Sequence, residues 1–231
     1  MERAGYGLTL AAMGAVMAAL YLVFFVAPLE ATLGISQKIF YFHVGSAIHM
    51  MVAFGVCALA GVTYLVSIRG APGVADWADA VGVATAEVGV MLGAVVLVTG
   101  PLWARKAWGT WWTWEPRLTL SLMVFLLFLA YLALRSFAGE DRFARAVGSG
   151  LAILGLPAIY LIHYAVERWG GAHPQVIYKG GLQQPEMRLA FGVSVLAVGL
   201  TAWALVVLRM SLERQRRDLD RLFLEADRRM G

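Results

Sequence analysis

The chain has 231 residues, 60% of them hydrophobic and only 15% charged, with a mean hydropathy of +0.71 and a formal net charge of +4. A soluble domain carries about 25% charged residues, so this composition puts almost the whole chain in or near a bilayer and leaves no stretch for a separate soluble domain. The modest charge does not point to nucleic acid, and the single cysteine, Cys57, excludes a disulfide framework, a CxxC redox pair and a CxxCH haem attachment site.

Apolar runs long enough to cross a hydrocarbon core of about 30 Å occur at 7–28, 42–68, 80–102, 118–137, 145–166 and 187–209. Lipid offers no partner for backbone polar groups, and the runs lack the alternation of barrel strands. The expected fold is an all-α integral membrane protein with six transmembrane helices. The first run exceeds the ~7–15 apolar residues of a signal-peptide core and reads as a span. The second opens with KIFYFHVGSAIH, which places His43 at its outer start and His49 nearly two turns deeper. The third carries Glu87, an intramembrane carboxylate to which the sequence assigns no role. A Trp-rich outer loop over about 103–117, PLWARKAWGTWWTWEPRLT without its ends, joins the third and fourth runs. It holds Trp103, Trp108, Trp111, Trp112 and Trp114, five of the chain's eight tryptophans. The fifth run ends in PAIYLIHYAVERW with His163, and His173 follows in the third outer loop. The sixth continues into SLERQRRDLDRLFLEADRRMG, where Leu212, Leu219, Leu222 and Phe223 form a weak apolar stripe among charges. The expected division is a six-helix membrane domain over 1–210 and a charged cytoplasmic helical tail over 211–231.

Orientation follows from the basic residues. With both termini inside, the inner segments hold Arg3, Arg69, Arg135, Arg142, Arg145, Arg209 and six tail arginines. The outer segments hold Lys38, Arg105, Lys106, Arg117, Arg168, Lys179 and Arg188. Twelve against seven favours N-in/C-in, and the difference rests on the tail.

His43, His163 and the tryptophan loop converge on one membrane face by topology alone, whichever way the chain faces. Imidazole is a good ligand for haem iron, and two imidazoles from two helices can bind one iron from opposite faces. Tryptophan rings can stack on the macrocycle, and Arg105, Lys106 and Arg117 can pair with its propionates. The same residues also fit a plain membrane-interface belt with interfacial histidines. A zinc site would need three or four clustered ligands, and the sequence has no HExxH or tight His/Cys/Asp group.

The stretch WGTWWTWEPRLT resembles the WWD signature of the haem-handling proteins of cytochrome c biogenesis, and most closely that of the CcmC family. KIFYFHV and IHYAVERWGGAHP resemble the same family, in the same order, over nearly the whole chain. The resemblance implies a protein that presents haem b at the periplasmic face of the bacterial inner membrane and delivers it to the haem chaperone CcmE, working with CcmD and the ABC-type subunits CcmA and CcmB. It implies His43 and His163 as axial ligands and Trp108, Trp111, Trp112 and Trp114 as the platform, with Glu115 and Arg117 at the acidic and basic positions. The family's aspartate is Glu115 here. On this reading the chain assists the attachment of haem to a chaperone and is not a stand-alone enzyme. Other classes compatible with the composition are a permease subunit exporting haem or another small molecule in an ABC-type complex, a b-type electron-transfer cytochrome, and a structural assembly subunit.

Overall fold

The computed structural model describes residues 2–138, 141–173 and 181–230. Lys179 lies outside the described residues, as do the side chains of Arg3 and of the tail arginines. Six helices account for the fold: α1 (Glu2–Tyr21), α2 (Ile39–Ser67), α3 (Pro72–Trp108), α4 (Pro116–Ala138), α5 (Arg142–Trp169) and α6 (Pro185–Met230). Six stretches, from Gly5–Val26 to Pro185–Glu213, are long and apolar enough to cross a membrane. The chain is a multi-pass membrane protein.

Helix boundaries follow local chemistry. Pro72, Pro116 and Pro185 each open a helix, where a missing N–H costs nothing. Asp141 caps α5, its carboxylate accepting from the amides of Phe143 and Ala144. α3 stops at Gly109, whose φ of 77° is left-handed. The helices run past the apolar stretches read from the sequence. The 103–117 segment is therefore a loop only over 109–115, and Trp103 and Trp108 belong to the last turns of α3. The proline and two basic residues that interrupt the apolar run there do not stop the helix, and Pro101 sits inside it.

α2 occupies the centre and packs against α3, α5 and α6; α4 lies against α5 and α3, and α1 against α6. The core is built from Met50, Phe54 and Cys57 of α2, Leu92 of α3, Val124 and Phe128 of α4, and Ile162 of α5. Phe54 and Phe128 stack face to face with centroids 3.8 Å apart. Lipid tails are as apolar as the core, so helix association in a bilayer depends on close packing, not on the expulsion of water.

Ion pairs at one end join the start of α3 to the end of α4 and to the start of α5, so successive helices alternate in direction. At one end Arg135 of α4 binds Asp79 of α3 at 2.7 Å, and Arg145 of α5 binds Asp76 of α3 at 2.8 Å. Glu87 of α3 pairs with Arg209 of α6 at 2.7 Å, and Arg209 also holds Glu213 at 3.0 Å. The opposite end carries the start of α2, the end of α3, the start of α4 and the end of α5.

Candidate functional site at the tryptophan-bearing end

Each candidate residue is held by an identifiable local device. His43 lies in the second turn of α2, half-buried, with Nδ1 2.8 Å from the Thr99 hydroxyl of α3. The ring lies across Gly100, where an added methyl would come within 3.3 Å of its Cε1. The start of α2 is itself anchored. α1 ends in a π-helical turn over Leu22–Val26, and the buried Lys38 ammonium donates to the carbonyls of Val23 and Ala27. Lys38 therefore points into the protein instead of standing at the surface as a free outer cation.

His163 is exposed near the end of α5, with the edge of Tyr164 against its ring at 4.9 Å. Arg117, in the first turn of α4, reaches the same helix end. Its Nε donates to the carbonyl of Ile162 at 3.1 Å and its Nη2 to that of His163 at 3.3 Å. Its Nη1 lies 3.2 Å from His173 Nδ1. Arginine has no acceptor, so His173 accepts there and carries its proton on Nε2. Glu115 makes a second link: its Oε2 accepts from the Ala172 amide at 2.7 Å. The approach requires Gly171, whose φ is 144° and where a Cβ would stand 2.8 Å from the same oxygen. Glu115 and Arg117 thus tie the tryptophan loop to the end of α5 and the segment after it.

The tryptophans divide into two groups. Trp103 and Trp108 meet edge to face on α3, and Trp112 and Trp114 do the same in the loop. Trp111 and Trp114 are 56% and 76% exposed, so each offers ring surface to an occupant. The Arg105 guanidinium stands 6.0 Å from the Trp111 ring and donates to the Gly109 carbonyl. Lys106 is exposed beside it. Trp112 Nε1, Glu115 Oε1 and the hydroxyls of Thr113 and Thr119 are buried without a partner among the described residues. Unsatisfied buried polar atoms cost about 1–3 kcal/mol each. Among the described residues no three His, Cys, Asp or Glu side chains cluster to hold a bare metal ion.

The structure adds one residue that the sequence reading left out. Thr99 touches His43, yet a lone hydroxyl in an apolar helix has no periodic signature. The one local sign is its place directly before Gly100-Pro101.

Comparison with known proteins identifies the family. The family model described as Heme exporter protein C, CcmC, matches residues 2–225. The Heme exporter protein C of Escherichia coli K12 is 30% identical over 208 residues, covering 88% of this chain and 82% of the relative. That of Paracoccus denitrificans is 29% identical over 208 residues, covering 88% and 84%. That of Haemophilus influenzae is 37% identical over 152 residues, covering 64% and 57%. With the match running almost from end to end, the chain belongs to the heme exporter protein C family.

Proposed function

We propose that this chain takes up haem b at the tryptophan-bearing end of the bundle and presents it to the haem chaperone CcmE during cytochrome c maturation. What supports the reading is the meeting, at one end, of two histidines from different helices and an exposed aromatic loop that Glu115 and Arg117 tie to the His163 helix. His43 and His163 supply the two axial imidazoles. Trp108, Trp111, Trp112 and Trp114 form the platform, with the exposed rings of Trp111 and Trp114 excluding water from the macrocycle. Arg105 and Lys106 face the propionates. Arg117 is largely spent on backbone carbonyls and acts mainly by holding the loop in register with His163. The chain does no acid–base chemistry of its own; positioning cargo and acceptor together is its contribution.

The remaining expectations complete this reading. Both termini face the cytoplasm, the membrane is the bacterial inner membrane, and the haem end faces the periplasm. CcmD and the ABC-type subunits CcmA and CcmB are the expected companions, and the last stretch of α6 is a cytoplasmic extension.

The test is the optical spectrum of detergent-purified protein loaded with haem. His43→Ala and His163→Ala are each expected to lose most of the Soret absorbance. A full bis-imidazole spectrum in both variants overturns the ligand assignment.

A further inference from the structure

We propose that Thr99 is a positioning residue for His43: its hydroxyl fixes the imidazole as the Nδ1–H tautomer and so turns Nε2, with its lone pair, toward incoming haem iron. The proposal rests on the reading of His43 as an axial ligand.

A threonine hydroxyl has one proton to donate and two lone pairs. The Thr99 proton is committed to its own helix, because Oγ1 lies 2.6 Å from the Val95 carbonyl, which can only accept. Toward His43, 2.8 Å away, Thr99 therefore has only a lone pair to offer. The proton of that contact has to come from the ring, so Nδ1 carries it. In a neutral imidazole the other nitrogen is then the acceptor. An iron-binding histidine usually donates its second N–H to an oxygen, which sets both tautomer and ring orientation. Here the orienting oxygen comes from a neighbouring helix, α3, so the ligand is aimed by the packing of α2 on α3 and not by α2 alone.

Two features make the aim specific. The ring is laid against Gly100, and a side chain at that position would crowd Cε1. His49, nearly two turns deeper, has its Nδ1 2.9 Å from the Gly45 carbonyl of its own helix. A carbonyl four residues back orients a helical histidine locally. His43 instead takes its partner from α3, and α3 is also the helix that carries Trp103 and Trp108 toward the loop. One helix thus holds both the orienting hydroxyl and part of the aromatic platform.

The tautomer is read without haem. Nitrogen-15 imidazole spectra of the haem-free protein, with His43 assigned by its disappearance in His43→Ala, are expected to show protonation at Nδ1. A proton on Nε2 in the wild-type protein overturns the proposal, and this measurement needs no Thr99 variant to fold. In Thr99→Val, which keeps the shape and removes the oxygen, the Nδ1–H state should no longer be the sole form, and Thr99→Ser should restore it. An unchanged spectrum in Thr99→Val also overturns the proposal. The second readout is haem loss to an excess of apomyoglobin. Thr99→Val is expected to release haem roughly 10- to 100-fold faster, the usual cost of removing a partner behind a metal ligand, while Thr99→Ser stays close to wild type. Wild-type release by Thr99→Val beside fast release by His43→Ala overturns the positioning role. Wild-type release by both variants overturns the axial assignment of His43 itself, whatever the tautomer.

Discussion

Arg117 spends one guanidinium on three neighbours, the carbonyls of Ile162 and His163 and the ring of His173. That use depends on the planar fork, since lysine offers a single point of charge on a flexible stem. Arg117→Lys is therefore expected to loosen the end of α5 while leaving the far end of the bundle intact. Hydrogen–deuterium exchange should rise over 162–173 and stay unchanged around Asp79 and Arg135; equal exchange in both regions would show that the fork contributes nothing. Glu115 works on the same segment. Its carboxylate reaches Ala172 past a glycine that leaves room for it. Glu115 and Gly171 therefore work as a pair, since a side chain at 171 would crowd the carboxylate.

At the level of single elements, the end of α1 depends on a side chain from outside it. The last carbonyls of a helix have no intrahelical donors, and here Lys38 supplies an ammonium to those of Val23 and Ala27. Lys38→Met keeps the packing of the stem and strands both carbonyls. A loss of about 1–3 kcal/mol is expected, seen as a lower midpoint of thermal unfolding in mild detergent. An unchanged midpoint would mean that the carbonyls find other donors. None of this was legible in the sequence, where LVFFVAPLE reads as the plain end of an apolar run. The six spans were legible because a helix in lipid needs about 20 apolar residues in a row. Their ends were not, because α3 continues through Pro101, Arg105 and Lys106, residues that end a hydropathy run without ending a helix already packed on its neighbours.

Across the whole molecule, the ionisable groups within the bundle are set against one another. Glu87, an isolated carboxylate in the sequence, faces Arg209 from a helix more than a hundred residues away. Its partner could not be read from spacing, since only the packing of α6 on α3 brings them together. The two halves of that pair are unequal. Glu87→Gln leaves Arg209 with Glu213, and its cost should stay under about 1 kcal/mol, as for exposed pairs. Arg209→Gln takes the cation from both Glu87 and Glu213 and is expected to cost more, about 1 kcal/mol for a pair this exposed. Unfolding midpoints in the same detergent test the order; equal shifts would show that Glu213 does not share the arginine. That the start of α2, the end of α5 and the tryptophan loop share one end of the bundle was legible, because alternating helix directions fix which ends lie together. The hydroxyl behind His43 was not, because it depends on which face of α3 meets α2.

α4 is fastened at both of its ends. Arg117 in its first turn grips the end of α5, and Arg135 in its last turns grips Asp79 near the start of α3. A rod clamped at both ends has no free end to swing, so this part of the molecule behaves as a stiff frame, not as a pair of jaws. On the functional reading above, cargo then enters and leaves sideways, sliding past the exposed faces of Trp111 and Trp114. On that reading the grip of those rings and of the two imidazoles on the cargo, and not a parting of helices, would limit the speed of handover.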